Sequence, residues 1–216
     1  MIAQGCKIAS QVCLAVALGL IWGCAGTGEM VSLNVQPQQP YVQSGQPEPV
    51  KIVIEPFEDA RADKSKIGQR THLGGGVTKF NVTGGSPGVA IAEALAETLR
   101  QRGWNRRGWD ARVVQSGVGV SGADIVINGE IQEFAANAKS RVFNTKLTGE
   151  SRLVIRAKNL ADDSSTQRNV QGEQSKLVFW FTSEDLEILM SGLLQDGINR
   201  FLTDTKIEGR ALKSAK

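Results

Sequence analysis

The sequence is poorly supplied with residues for redox or metal chemistry. Its 216 residues include three cysteines, Cys6, Cys13 and Cys24, and one histidine, His72. Cys6 and Cys13 lie in an apolar N-terminal run. Once that run is removed, the remaining chain keeps one cysteine at its own start and cannot close an internal disulfide. A histidine-based metal site has few possible ligands here, because the chain offers no other thiol and no clustered carboxylates. His72 therefore reads as an exposed loop residue, and no metal or cofactor is expected. No second apolar stretch reaches transmembrane length, so nothing after the N-terminus is expected to cross a bilayer as a helix. Charge is nearly balanced: 25 Lys and Arg stand against 22 Asp and Glu. Loss of Lys7 with the leader leaves a net charge of only +2, too small to imply nucleic acid or an acidic substrate.

The N-terminus is the most informative segment. Ile8 to Ile21 is mostly apolar and uncharged, with Lys7 before it. It is too short for a comfortable membrane span and fits the hydrophobic region of an export signal. Ile21-Trp22-Gly23-Cys24 follows. This resembles the bacterial lipobox, with an aliphatic residue, a small residue directly before the cysteine, and then the thiol that takes the diacylglyceryl group. Trp22 departs from the usual small residue at its position. The resemblance implies cleavage after Gly23, lipidation of Cys24 and acylation of its new amine. Two acyl chains already give stable membrane anchoring. Ala25, rather than Asp, follows the cysteine. By resemblance to enterobacterial sorting, this implies the outer membrane, facing the periplasm.

The chain then divides simply. Residues 1–23 read as signal and 24–49 as a lipidated cysteine with a Pro/Gln-rich tether, which includes Gln36-Pro37-Gln38-Gln39-Pro40. Such composition buries little apolar surface. Val31, Leu33 and Val35 nonetheless alternate as in a short strand. Residues 50–205 read as one domain, and 206–216 as a basic flexible tail. The domain opens with a strand from Val50 to Ile54, in which Val53 is assigned to the solvent side. A long polar stretch, 58–85, is either functional or partly paired into strands, Val77 to Val82 among them.

Helical spacing of Ala92, Leu95, Ala96 and Leu99 marks a first helix, capped by Ser86 with Pro87 at its first position. Strands are expected near 111–115, 124–134, 146–158 and 168–181. Phe134 falls out of phase, as it would across a bulge. A capping box at Thr182 and Asp185 opens a last helix to about Thr203. The expected fold is α+β: a mostly antiparallel four- to five-stranded sheet with two helices on one face, in the order β-α-β-β-β-β-α.

Three stretches together resemble the YajG family of small bacterial lipoproteins. They are the lipobox with Val31-Ser32-Leu33-Asn34-Val35, the strand and loop that carry Phe57-Glu58-Asp59-Ala60-Arg61-Ala62-Asp63 and Ile67-Gly68, and the closing Phe201-Leu202-Thr203-Asp204. The family implies a fold and a location, with no established activity.

Two catalytic strings fail on physical grounds. Gly84-Gly85-Ser86-Pro87-Gly88 matches a nucleophile elbow, but the residue after the serine must supply an oxyanion-hole N–H, and proline has none. Gly117-Val118-Gly119-Val120-Ser121-Gly122 matches a dinucleotide loop, but strand-like Ile125-Val126-Ile127 follows where a helix is required. No enzyme is expected. Trp104, Arg106, Arg107 and Trp109 form a candidate interaction surface, with core closure by the tryptophans as the alternative. Asp59, Arg61 and Asp63 are either a recognition patch or a loop brace. The expected role is a non-catalytic, lipid-anchored contact with an envelope protein partner. A ligand-, glycan- or peptidoglycan-binding module that uses the 58–85 loop is the alternative.

Overall fold

A computed structural model describes residues 27–37, 48–115 and 117–215. The signal segment and Cys24 lie outside these residues. Eleven strands and two α-helices follow in chain order. They are β1 (Thr27–Leu33), β2 (Glu48–Ile54), β3 (Glu58–Asp59), β4 (Gly68–Thr71), β5 (Val77–Val82), α1 (Pro87–Arg102), β6 (Trp109–Val113), β7 (Ile125–Ser140), β8 (Thr145–Asn159), β9 (Ser165–Val178), α2 (Ser183–Asp204), β10 (Thr205–Glu208) and β11 (Ala211–Ser214).

Strand β7 is the spine. One of its edges pairs antiparallel with β8 along its whole length, and β8 pairs with β9. Its other edge takes three shorter partners in line, all parallel: β2 at Ile125–Ile127, β3 at Glu130–Ile131 and β4 at Ala138–Lys139. Beyond β2 lies β6, and beyond β4 lie β5 and then β1. The result is one nine-stranded mixed sheet, with β10 and β11 forming a separate hairpin.

This corrects the expected mostly antiparallel four- to five-stranded sheet in three places. Val53 is buried along with Val50, Ile52 and Ile54. A run apolar on both faces is the mark of a parallel strand covered on both sides, and β2 is one. The 58–85 stretch holds three strands, so its backbone groups are largely satisfied by pairing and not by solvent. The segment expected as a flexible tail forms the β10–β11 hairpin, with Leu212 buried.

The antiparallel half follows its side-chain pattern. Leu147, Leu153, Ile155 and Ala157 of β8 are all buried. A register shift between Ile131 and Glu133 returns Phe134 to the core. Helix α1 buries Ile91, Ala92, Leu95, Ala96 and Leu99, and packs mainly on β6. Ser86 accepts from the Val89 N–H at its start. Gly88 sits against the Phe57 carbonyl oxygen, where an added Cβ would lie 2.0 Å away. The helix can reach the sheet only because that side chain is missing. Helix α2 lies on β8 and β9 and buries Leu186, Met190, Leu193, Leu194 and Phe201. Thr182 and Asp185 close its capping box. Among the described residues no helix is long and apolar enough to cross a membrane.

Candidate functional site

The tryptophan–arginine turn takes the alternative form, in which the tryptophans close the core and the arginines stay outside. Trp104 and Trp109 are 4% and 5% exposed. Their rings meet edge to face at 5.6 Å, and Trp104 also packs on Phe201 at 6.0 Å. The indole N–H of Trp109 donates to the Trp104 carbonyl. Both rings therefore close the end of the core, and neither can serve as a contact surface. Arg106 and Arg107 remain exposed, and Arg107 pairs with Glu48.

Asp59 and Arg61 form a brace. The Arg61 Nε and Nη2 donate to the two carboxylate oxygens of Asp59 at 2.8 and 2.7 Å. Its Nη1 donates to the Lys66 and Phe134 carbonyls. The guanidinium is buried, and every one of these contacts is internal. It holds the 60–67 loop onto β7. The bidentate contact also keeps the Asp59 carboxyl below its ordinary range. Asp63 stands apart, accepting from the backbone N–H and hydroxyl of Ser65 in a local turn. His72 is half-buried, not exposed, with Nε2 at 2.8 Å from the Thr78 hydroxyl. That hydroxyl also reaches Glu29. Among the described residues no group of three or more His, Cys, Asp or Glu is placed to hold a metal ion.

A surface that sequence reasoning did not single out lies at one end of the sheet. Strand register brings four chain segments to that end: the start of β1, the β4–β5 turn, the β7–β8 turn and the exit of β9. Their tips carry Leu73, Val142, Phe143, Phe179 and Trp180, which are 66%, 70%, 76%, 71% and 81% exposed. These side chains border one depression of about 440 Å³. Phe179 and Trp180 meet edge to face at 5.6 Å. Below them Phe181 turns inward to Phe80, and the Arg70 guanidinium lies 4.3 Å over the Phe181 ring. Arg70 also donates to the Ser140 hydroxyl, so the floor of the rim is fixed.

An aromatic triplet before a helix cap, 179–181, reads in sequence as the buried end of a strand. Phe143 is the sequence signal of this surface. A large apolar residue in a four-residue turn between two long strands has no core to enter.

Among the described residues there are other concave places. A groove of about 770 Å³ runs between α1 and the segment that leaves β1, lined by Val35, Val82, Val89, Glu93 and Glu97 among others. A shallow depression on β7–β9 gathers Glu133, Glu150 and Glu173 with Arg152 and Arg200. There the Glu133 carboxylate, local burial and Glu173 push the Glu150 carboxyl up.

No protein-family model matches the chain, and no curated protein matches it. Solved structures are similar to it only at a low level. A DUF330 protein from Xanthomonas campestris is 9% identical, with 81% of this chain and 94% of that chain covered at a TM-score of 0.47. The PelC dodecamer from Paraburkholderia phytofirmans is 12% identical, over 67% and 85% of the two chains, at 0.38. The lipoprotein GNA1162 from Neisseria meningitidis is 13% identical, over 70% and 99%, at 0.34. Likeness at this level says nothing of what this chain does.

Proposed function

We propose that this chain is a lipid-anchored protein of the bacterial envelope, held by acyl chains on Cys24, that acts through contacts and not through catalysis. One observation carries the reading. Strand β1 begins at Thr27 and is paired with Val77–Val82 of the main sheet. An anchor at Cys24 is then joined to the folded domain through two residues, not through a long tether. The segment after β1 continues onto α2, where the Asn34 and Gln36 N–H groups donate to Glu187 and Ser191. A lipidated cysteine so close to the sheet fixes both the height and the orientation of the domain over a membrane.

The lipobox pattern supports the anchor, and Ala25 favours the outer membrane, facing the periplasm. The resemblance to the YajG family agrees with both. The partner is an envelope protein that meets the domain on the side away from the membrane, where exposed Arg106 is available. Labelled palmitate tests the reading directly. The wild-type chain should take up label and fractionate with membranes, and Cys24→Ser should do neither. Label retained by Cys24→Ser would overturn it.

The groove beside α1 favours a second reading, a binding module for small ligands, glycans or peptidoglycan fragments. It adjoins Val82–Gly84, at the end of the 58–85 stretch. Saturable binding of soluble peptidoglycan fragments, lost on Val89→Arg at the groove wall, would move the assignment there.

A further inference from the structure

The apolar rim and the start of β1 occupy the same end of the molecule. Thr27 pairs with Val77, Val77 with Thr71, and Thr71 with Lys139. Lys139 is one residue from Ser140, where the β7–β8 turn begins, and Val178 of β9 pairs with Thr145 on the far side of that turn. The chain therefore enters the domain at the same end as Leu73, Phe143 and Trp180, next to the β4–β5 turn that carries Leu73. Thr27 is three positions after Cys24, and a fully extended chain of that length reaches roughly 11 Å at most. Acyl chains on Cys24 would therefore meet a membrane at the end of the sheet that carries these side chains.

We propose that this end of the sheet is a membrane-contacting surface, with Val142, Phe143, Phe179, Trp180 and Leu73 seated among phospholipid headgroups. The proposal rests on the lipidation of Cys24 for its position in the cell, and on the rim for its chemistry. Five large apolar side chains on adjacent tips form a patch that a free soluble surface rarely leaves open. Trp favours the bilayer interface, where its ring is buried and its N–H stays wet, and Phe and Leu are the apolar side chains that insert beside it. Arg141 sits in the same turn, and Lys139 and Lys146 face each other one rung below Ser140 and Thr145. All three are exposed. Cations set just behind an apolar tip match an anionic leaflet. The β7–β8 turn is short and held by two long paired strands, so its tip enters as a rigid edge.

Trp180 provides the readout, because Trp104 and Trp109 are buried and Trp22 is removed with the leader. The chain from Ala25 is given an N-terminal hexahistidine tag and bound to nickel-chelating vesicles of phosphatidylethanolamine and phosphatidylglycerol. This replaces the acyl anchor, so the result does not depend on whether cells lipidate Cys24. Vesicles with brominated acyl chains should quench the emission that Trp180→Phe removes. Val142→Ser with Phe143→Ser should cut that quenching by roughly half or more while tag binding is unchanged. Trp180 emission that stays unquenched and open to aqueous iodide on bound protein would overturn the proposal. So would a blue shift that appears without vesicles and grows with protein concentration, which would make the rim a contact between copies. Palmitate labelling fails independently if the Cys24 reading is wrong.

Discussion

The indole N–H of Trp104 donates to the Thr205 hydroxyl at 3.0 Å, joining the end of α1 to the end of α2 across 101 residues. The Thr205 hydroxyl in turn donates to the Phe201 carbonyl at 2.6 Å. One buried hydroxyl thus satisfies a donor and an acceptor that water cannot reach. Thr205→Val keeps the shape and strands both groups, at a cost of about 2–3 kcal/mol. Thr205→Ser should restore most of it. In a domain of this size the valine variant should melt roughly 4–12 °C lower by calorimetry. An unchanged melting temperature would mean that the tryptophan lock contributes nothing to stability.

Asp59 and Arg61 give stability a pH dependence with a definite sign. Arg61's side-chain hydrogen bonds hold the Asp59 carboxyl below its ordinary range. The folded state therefore releases the proton more readily than the unfolded chain does. The resulting stability is complete above the ordinary carboxylate range and is lost as pH falls through the lowered value. Asp59→Asn should cost about 1–2 kcal/mol at pH 7, discounted for the partial exposure of the aspartate. The gap between the two proteins should begin to narrow below about pH 4 in urea titrations and keep narrowing as pH falls further. A gap that is the same at pH 3 and pH 7 would rule out the ion pair as its source.

Glu150 carries the opposite sign. It stands directly across from Glu173, and the Glu133 carboxylate beside it is the main cause of its raised pKa. The folded state holds this proton longer than the unfolded chain, so stability falls as pH rises through the raised value. Glu150→Gln should stabilise the protein at neutral pH by roughly 0.2–1 kcal/mol, the usual scale for like charges facing across strands. The gain should vanish in acid, where the wild-type carboxyl is already protonated. Denaturant midpoints at pH 4 and pH 7.5 make the comparison, and a loss of stability at neutral pH would show that the carboxylate is serving Arg152 instead.

The parts of the fold that were legible are those whose side chains alternate over many residues or recur at helical spacing. Leu147 to Ala157 and Leu186 to Phe201 are examples, since each buries one regular face. Phe134 announced its own bulge by losing phase. Parallel pairing was not legible, because β2 is only seven residues long and Val53 looks like a solvent position until both faces are covered. The short strands β3 and β4 have polar sequences, Glu58-Asp59 and Gly68-Gln69-Arg70-Thr71, and owe their pairing to β7 rather than to propensity. The same cause hid the apolar rim. Leu73, Phe143 and Trp180 are far apart in sequence, and only the register of β7 with β4 and β8 brings their turns to one end.

The C-terminal hairpin is the last case in which tertiary pairing overrides composition, and it can be tested by a single side chain. Asn159 ends β8, and its buried amide makes a two-way contact with Leu212 of β11. Its Oδ1 accepts the Leu212 N–H at 2.8 Å, and its Nδ2 donates to the Leu212 carbonyl at 3.0 Å. The asparagine thus imitates a strand neighbour, and it sets Leu212 into the core although the residues around it are basic. Leu212→Ala should cost about 2–4 kcal/mol through the cavity it leaves. Asn159→Leu should cost about 1–3 kcal/mol through the buried backbone groups it strands. Amide exchange at Leu212 should be slow in the wild type and should become fast in Asn159→Leu while β7 and β8 stay protected. Fast exchange at Leu212 in the wild type would return residues 206–216 to the loose tail that their composition suggests.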